Sequence, residues 1–503
     1  MHYIDPKGHT RRAFLRRSGA LAMAGTATPF ALSLSAMSDA AAQTATDYKA
    51  LVCVFLYGGC DYSNTVIPYD DLSYNQYSTI RVPQASGGIA IAKDTALAAT
   101  ALNPTVALPN GRQFALHPQM TALKGLFDAG TAAVQLNVGP LVVPLSRALY
   151  NNSNKKLYPA PPKLFSHNDQ QSTWQSSSPE GSTIGWGGNI GDLVMGGNGN
   201  SLFTCISVSG NAVFLSGDNA LQYQVSTGGA VKINSVSGTG SVFGSNTVKS
   251  AMAQLAQQAR SHNLENEYNK VTKRAVDAEG QITSAISGVT YPINNTGAAG
   301  SFPDTGLGRQ LAMVARLIRG QGALGARRQV FFVSMGGFDL HDNLIGSQGP
   351  LLKQLSDAMS AFQGAMATAG LGDKVTTFTA SDFGRTLASN GDGTDHGWGN
   401  HHFMVGGAVK GNAIYGYAPP VSIINDSKLA GYEGHVGQGR LIPTTSVDQY
   451  GATMGKWFGL NDAQLAEILP NLKNFGGSLT ANETAGASVT YDYPKDVGFM
   501  KPA

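Results

Sequence analysis

The stretch that decides the fold is Lys49 to Tyr57, K-A-L-V-C-V-F-L-Y, a nearly continuous apolar run that ends at Gly58 and Gly59. β-Branched and aromatic residues are frequent in it, and it lacks the alternation of a half-exposed strand. The run therefore predicts a central parallel strand that is buried on both faces. In open α/β sheets ligands bind beyond the carboxyl ends of such strands, so the residues that follow are the first candidates for a functional site.

The last third of the chain alternates between helical and extended patterns. Apolar residues at helical spacing over 307–318 and 351–366 each precede an apolar run, at 329–334 and 374–380. This alternation predicts a parallel sheet wound by right-handed crossovers. The stretch 131–138 predicts another buried strand. The expected fold class is α/β, with a mostly parallel central sheet and helices on both faces.

The middle of the chain has a different composition. Residues 196–248 are rich in Gly, Ser, Asn and Val with short apolar runs, which predicts a small β-rich insertion or a cap over the main sheet. Residues 250–277 predict one long polar helix with a sparse apolar face. Apart from a leader, the expected organisation is one domain over 43–503.

The first 42 residues predict an export signal. The run from Thr10 to Arg17, T-R-R-A-F-L-R-R, resembles a twin-arginine motif, a weakly apolar stretch follows, and A-A-A at 40–42 offers a cleavage site. The apolar stretch is short for a membrane span, so the prediction is a periplasmic or otherwise exported protein that uses the twin-arginine translocation machinery and has no stable membrane span.

The charge balance excludes some partners. The chain has 35 basic and 32 acidic residues, and without the leader 30 of each remain. A neutral mature chain gives no electrostatic footprint for nucleic acid.

The three cysteines, Cys53, Cys60 and Cys205, lack the spacing of a metal motif. One disulfide from Cys53 or Cys60 to Cys205 is an alternative, but the favoured interpretation is three buried free thiols.

Acidic and imidazole residues follow three of the predicted strands. Because the carboxyl ends of parallel strands meet at one edge of a sheet, these groups are expected to converge. Mixed Asp and His ligands suit zinc, manganese or iron. The candidate metal ligands from this pattern are Asp61, Asn64, Asp339, His341, Asp395, His396 and His402.

Several neighbouring residues have competing interpretations. Asp382 is equally consistent with a turn cap and with a functional role. His401 and His402 are adjacent, so in an extended segment their side chains point to opposite sides and at most one of them is a ligand. The polar loop around His167 is interpreted as an ordered surface loop.

An ordered set of motifs supports a family resemblance. The set comprises the twin-arginine leader, G-G-C-D-Y-S-N around Asp61, F-D-L-H ending at His341, D-F-G-R-T containing Arg385, G-T-D-H ending at His396, and G-G-A-V-K-G at 406–411. With these motifs, nearly the whole mature chain resembles the exported bacterial family catalogued as domain of unknown function 1501, which is grouped with alkaline-phosphatase-like and sulfatase-like proteins.

The resemblance implies an alkaline-phosphatase-like α/β fold and a site for one or two divalent ions, zinc or manganese, held by the candidate ligands. It also implies a hydroxyl nucleophile, for which Ser146 and Ser166 are the candidates. Arg147 and Arg385 are the candidates for neutralising the developing anion. The Asp339-x-His341 spacing is tighter than the family pattern.

Three hypotheses of function follow. The first is an exported metal-dependent hydrolase that acts on phosphate or sulfate esters of a small molecule or a polymer. The alternative is a catalytically inactive envelope binding or assembly protein of the same fold, because no nucleophile is fixed by the sequence. A redox protein is the third, suggested only by the leader.

Overall fold

A computed structural model describes residues 47–238, 240–295, 300–483 and 487–502. The predicted signal segment, residues 1–42, lies outside the described residues. The strands are β1 Lys49–Leu56, β2 Val66–Pro68, β3 Phe114–Leu116, β4 Ala132–Gly139, β5 Cys205–Ser207, β6 Gln222–Ser226, β7 Gly229–Ala230, β8 Arg328–Met335, β9 Val375–Ser381, β10 Asn400–Val405, β11 Ala413–Tyr415, β12 Thr445–Ser446, β13 Ser478–Glu483 and β14 Ala487–Asp492.

The helices lie between these strands and after the last strands of the main sheet. They are α1 Asp71–Arg81, α2 Thr95–Ala98, α3 Thr121–Asp128, α4 Arg147–Tyr150, α5 His167–Ser176, α6 Trp186–Val194, α7 Asn246–Gln257, α8 Asn263–Ile286, α9 Gly306–Arg319, α10 Leu344–Thr368, α11 Val447–Phe458 and α12 Asp462–Ile468. In the described part of the chain, no helix is both long and apolar enough to cross a membrane.

A ten-stranded sheet forms the centre of the fold, in the order β11-β4-β10-β9-β1-β8-β5-β6-β7, with β12 paired to β4. β1 pairs in parallel with β8 on one side and β9 on the other. β10 is antiparallel to both of its neighbours. The predicted fold class, a mostly parallel α/β sheet, is confirmed.

Both faces of the sheet are covered, as the sequence of β1 predicts. Alternate residues of β1 enter two different cores: Val52 and Val54 lie in the core with α9 and α10, whereas Cys53 and Phe55 lie in the core with α6 and α11. All eight residues of β1 are buried. The run of apolar residues without alternation therefore reflects burial on both sides.

The stretch 196–248 contributes β5, β6 and β7, and β5 pairs in parallel with β8. It widens the sheet at one edge, and Phe214 from the same stretch packs on a face of the sheet against Phe332 of β8 and Phe378 of β9. The single long helix predicted over 250–277 is wrong: the structure has α7 and α8 with a turn between them. The Asn269 side chain donates to the Leu255 and Gln258 carbonyl oxygens, so the two helices fold back on each other.

The cysteines are three buried free thiols, as favoured from the sequence. Burial raises the pKa of Cys60 and of Cys205 to about 12, which keeps both as unreactive thiols.

A buried carboxyl in the C-terminal helices gives a testable pH dependence. Burial raises the pKa of Asp448 to about 6, against the hydrogen bond from the Asn471 amide. Because the folded state binds this proton more tightly than the unfolded state does, its stabilising effect is present below pH 4 and is lost as the pH rises to about 6. The Asp448→Asn variant should therefore gain about 3 kcal/mol relative to the wild type between pH 4 and 7. Urea unfolding of both proteins at the two pH values measures this, and parallel pH profiles would contradict it.

Candidate metal centre

Three side chains from distant parts of the chain converge beyond the carboxyl ends of the central strands. His167 is the first residue of α5, Asp339 follows β8, and His396 lies in the loop between β9 and β10. One ligand atom from each residue lies within 4.8 Å of the others. Among the described residues, this group of three is the one with the spacing that a metal ion requires.

The separations between the ligand atoms fit a bound ion. His167 Nε2 lies 3.1 Å from His396 Nε2. Of the Asp339 carboxylate oxygens, Oδ2 lies 3.4 Å from His167 Nε2 and Oδ1 lies 3.3 Å from His396 Nε2. A tetrahedral ion with bonds of about 2.1 Å holds adjacent ligand atoms about 3.4 Å apart. The side chains are thus close to the arrangement that an ion needs.

Hydrogen bonds on the far side of each imidazole orient both rings. His167 Nδ1 lies 2.7 Å from Asp382 Oδ2, and His396 Nδ1 lies 2.7 Å from the Phe165 carbonyl oxygen. Both partners are acceptors, so each Nδ1 carries a hydrogen and each Nε2 presents a lone pair to the other. Two lone pairs 3.1 Å apart repel each other unless a proton or a metal ion lies between them.

The two rings differ in their affinity for that proton. The hydrogen bond to Asp382 raises the pKa of His167, whereas burial lowers the pKa of His396. A proton between the two rings is therefore held more tightly by His167 than by His396. A metal ion would displace this one proton.

Asp382 is the buried support of the centre. Its Oδ2 accepts from His167, from Gln171 Nε2 at 2.9 Å and from the Gly58 amide at 3.1 Å. Gly58 has a φ of +112°, and a Cβ there would lie 2.4 Å from the Asp339 amide nitrogen. The glycine that ends β1 thus allows the loop that carries Asp339 to pack against the strand end.

Arg385 fixes the carboxylate of Asp339 from the buried side. Its Nη1 donates to Asp339 Oδ1 at 2.8 Å and to the Gly58 carbonyl oxygen at 3.0 Å. Although partial burial raises the pKa of Asp339, the hydrogen bond and charge of Arg385 lower it overall. The carboxyl group therefore stays ionised, as a metal ligand must.

The outer side of the centre is open to solvent. Asp339 is 46% exposed, and His341, which is 45% exposed, places Nδ1 3.0 Å from Asp339 Oδ1. His341 is thus a neighbour of the centre at its rim.

A strained residue holds the second imidazole. Phe165, whose carbonyl accepts from His396, has a φ of +72°, which is rare for a residue with a bulky side chain. Arg440 supports the same loop, because its Nε donates to the His396 carbonyl oxygen at 2.7 Å and its guanidinium lies over the Phe165 ring. Such strain occurs at sites where the surrounding structure enforces a geometry.

Asp61 and Asn64, predicted as ligands, belong to a buried network beside the centre. Asp61 Oδ2 forms an ion pair with Arg81 Nη2 at 2.8 Å, and Oδ1 accepts from two backbone amides. Asn64 Oδ1 accepts from Tyr77 and from Arg81. The structure does not bring either residue into the group of three; their polar atoms stabilise the loop after β1.

Two further predicted ligands also lie apart from the group. The Asp395 carboxylate accepts from Asn390 at 3.0 Å. His402 is fully buried on β10 against the rings of Trp174 and Tyr450, and burial lowers its pKa to about 3. The pleat of β10 places His402 within the sheet's core.

The predicted nucleophiles and Arg147 have structural partners. Ser146 Oγ accepts from the Leu149 amide as the N-cap of α4. Ser166 Oγ donates to Asp169 at 2.8 Å. Arg147 donates to the Ile424 carbonyl oxygen and stacks on a tyrosine ring 4.0 Å away. Of these residues, Ser166 is next to the centre in sequence, directly before His167.

Sequence reasoning missed the roles of His167 and Gln171, and it left Asp382 open between a turn cap and a functional role. His167 and Gln171 are four residues apart, so they share one face of a helix, and both contact Asp382. A His-x-x-x-Gln pattern at a helix start was a usable signal. Its pairing with Asp382, 215 residues away, could not be read from spacing.

The fold and this cluster define an α/β protein with a candidate His-Asp-His metal centre at the carboxyl edge of its sheet. The profile of a family described as "Protein of unknown function (DUF1501)" matches residues 48–466, so the chain belongs to that family. The family predicted from the sequence motifs is thereby confirmed.

Two further comparisons concern curated proteins and solved structures. A search of curated proteins gives no match. Among solved structures, the chain is similar to one from Bacteroides thetaiotaomicron, described under "metabolism of multiple glycosaminoglycans" and labelled "sulf". The identity is 10%, the match covers 84% of this chain and 74% of the other, and the TM-score is 0.30.

Proposed function

We propose that His167, Asp339 and His396 bind one divalent metal ion, zinc or manganese, and that the protein is a metal-dependent hydrolase of phosphate or sulfate esters. The observation that carries the proposal is the pair of Nε2 atoms that face each other at 3.1 Å, with the opposite Nδ1 atoms held by Asp382 and by the Phe165 carbonyl oxygen. Two imidazoles with fixed tautomers and an adjacent carboxylate are the donor set of catalytic metal sites.

Three protein ligands leave coordination positions open toward the solvent-exposed side. When bound, the ion would supply Lewis acidity and lower the pKa of a water molecule, which is the chemistry that ester hydrolysis needs. Residues of the chain itself orient the metal ligands and serve the leaving group. Asp382 fixes His167, Arg385 holds Asp339 ionised, and His341 at the rim is placed to donate a proton to the leaving oxygen.

A water molecule is the favoured nucleophile over a serine, because the hydroxyl groups of Ser146 and Ser166 are already hydrogen-bonded elsewhere. The same observation supports the second candidate, a binding or assembly protein that keeps the metal centre without turnover.

Export through the twin-arginine machinery into the periplasm is part of the proposal and rests on the T-R-R-A-F-L-R-R motif.

Metal analysis of the purified protein tests the centre. The wild type is expected to hold about one transition-metal ion per chain, as one His-Asp-His group predicts. Asp339→Asn should lose the ion, and Asp395→Asn, the matched change at a carboxylate outside the group, should retain it. Loss of the ion from Asp395→Asn with retention in Asp339→Asn would sink the assignment.

Turnover is tested separately with a panel of aryl phosphates and sulfates and the metal-loaded protein. Hydrolysis that disappears in His396→Ala and persists in His262→Ala, a change at an exposed helix-start histidine, supports the enzyme. A metal-loaded wild type that hydrolyses none of the esters would instead leave the binding protein as the surviving candidate.

A further inference from the structure

The two arginines expected from the sequence to neutralise an anion are bound within the protein. Arg385 contacts Asp339, but its side chain is fully buried, and each nitrogen of its guanidinium donates to a neighbouring acceptor. Arg147 is bonded through both terminal nitrogens to the loop at 424–425. Arg385 therefore cannot reach a substrate, and Arg147 is held by a loop that carries no group of the metal centre.

Arg440 is a further arginine in contact with the centre, and it keeps free donors. Its Nε donates to the His396 carbonyl oxygen at 2.7 Å, and its guanidinium lies 5.3 Å from the centre of the Phe165 ring. Within the described part of the chain, its two terminal nitrogens donate to no acceptor. These contacts fix the plane of a half-buried guanidinium and leave unused the fork of N–H groups that binds anions.

The charge of Arg440 also lacks a direct partner. Burial lowers the pKa of Arg440, although the charge of Asp395 acts in the opposite direction. The two side chains form no hydrogen bond, and the Asp395 carboxylate accepts from Asn390 instead. A partly buried cation without a bonded counter-charge destabilises the folded protein, so an anion from outside the chain would remove this cost. Groups kept in this state are typical of binding sites.

The guanidinium lies on the side of His396 that faces away from the centre. His396 Nε2 points toward His167, whereas Arg440 contacts the backbone of His396 and the ring of Phe165, the residue whose carbonyl holds Nδ1. The imidazole therefore separates Arg440 from an ion bound at Nε2. An ester group on that ion would leave the guanidinium unoccupied, but another anionic group of the same molecule would reach it.

The segment beside Arg440 has the same sign of charge. Residues 148–167 contain three lysines and no acidic residue. One of them, Lys163, is paired with a carboxylate. Lys155 lies 5.3 Å from the centre of the Tyr150 ring, and Tyr150 in turn interacts electrostatically with Arg440. A second cation thus follows Arg440, which favours a substrate with more than one negative charge.

We propose that Arg440 binds a second anionic group of the substrate, which the molecule carries in addition to the ester held at the metal centre. The substrate class is then a multiply anionic ester, in which the second group is a phosphate, a sulfate or a carboxylate. This inference rests on the proposed function for the place of the ester, and it names the class of substrate that the same site takes.

Titration calorimetry of the zinc-loaded protein with two phosphonates tests the inference without requiring turnover. One is a naphthyl phosphonate, and the other carries a sulfonate on the far ring. The wild type should bind the sulfonated compound at least about 10-fold more tightly, the effect of one charge-assisted contact. Arg440→Gln should bind both compounds equally. The glutamine amide nitrogen is as many bonds from Cα as the arginine Nε, so it can still donate to His396.

The matched control is Arg319→Gln. Arg319 is exposed at the end of α9, which leads to the amino end of β8, so it lies at the opposite edge of the sheet from the centre. This variant should keep the preference for the sulfonated compound. If Arg440 only supported the loop of His396, Arg440→Gln would weaken both phosphonates by the same factor and keep their ratio. Zinc content of each variant reports whether the centre is intact.

Equal affinity of the wild type for the two phosphonates, failure to bind either, or a preference that Arg440→Gln retains would overturn the inference. The corresponding naphthyl phosphate esters separate this result from the proposed function. A sulfonate preference that Arg440→Gln loses, without hydrolysis of either ester, supports the anion site and contradicts the hydrolase. Hydrolysis of both esters with no sulfonate preference supports the hydrolase and contradicts the anion site.

Discussion

Replacing Asp382 by asparagine is expected to weaken metal binding about 10- to 100-fold, because the imidazole of His167 loses the charged acceptor that makes it a stronger ligand. Aspartate and asparagine have nearly the same shape. The side-chain oxygen of the asparagine can still accept from the Gly58 backbone N–H and from Gln171 Nε2. The change therefore removes a charge and leaves the backbone contacts in place. Competition of the apo protein with a zinc chelator measures the affinity.

The control for this prediction is Asp392→Asn, a change at a carboxylate that accepts from the Asn343 amide outside the centre. It should leave the affinity within about 2-fold of the wild type, the error expected for a surface change. If Asp382→Asn binds zinc as tightly as Asp392→Asn, the proposed support of His167 by Asp382 is wrong.

Replacing Arg81 by methionine is expected to lower the free energy of unfolding by about 3–5 kcal/mol, since it leaves the buried Asp61 carboxylate without its counter-charge. Arg81 is fully buried, and besides Asp61 and Asn64 it donates to the Thr386 and Leu387 carbonyl oxygens. It thus joins the loop after β1 to the loop after β9, the two loops that flank the centre.

The control is Lys93→Met, because Lys93 pairs with an Asp71 side chain that is 94% exposed. An exposed pair of this kind contributes at most about 1 kcal/mol. Denaturant unfolding compares the two variants, and a loss in Arg81→Met no larger than that in Lys93→Met would contradict the prediction.

Asp61→Asn distinguishes the structural role of Asp61 from the ligand role predicted from the sequence. If Asp61 only pairs with Arg81, the variant should lower the free energy of unfolding and keep the metal ion. If Asp61 is a ligand, the variant should lose the ion.

The sequence was sufficient for the layers of the fold. The apolar run of β1 has no alternation, and each of its faces meets a helical layer, so burial on both sides could be predicted from composition and length. The sequence also predicted correctly that Asp339 and His396 lie close together, because residues that follow the carboxyl ends of parallel strands meet at one edge of the sheet.

Long-range pairing decided the rest of the candidate centre. Asp61 follows β1 as a ligand should, but Arg81 of α1 takes its charge, and no local pattern indicates that ion pair. His167 enters the centre from a helix rather than from a strand end, held by Asp382 across 215 residues. His402 turns into the core because the pleat of β10 directs its side chain to the face covered by Trp174.

The sequence by itself therefore determined the sheet, its two covered faces and the edge where function is expected, because burial leaves its record in the local pattern of apolar residues. Only the tertiary structure decided which acidic and imidazole groups stay free to bind a metal ion and which are neutralised by a buried partner. That choice depends on distances between segments that are 20 residues apart for Asp61 and Arg81 and 215 apart for His167 and Asp382, which local patterns do not encode.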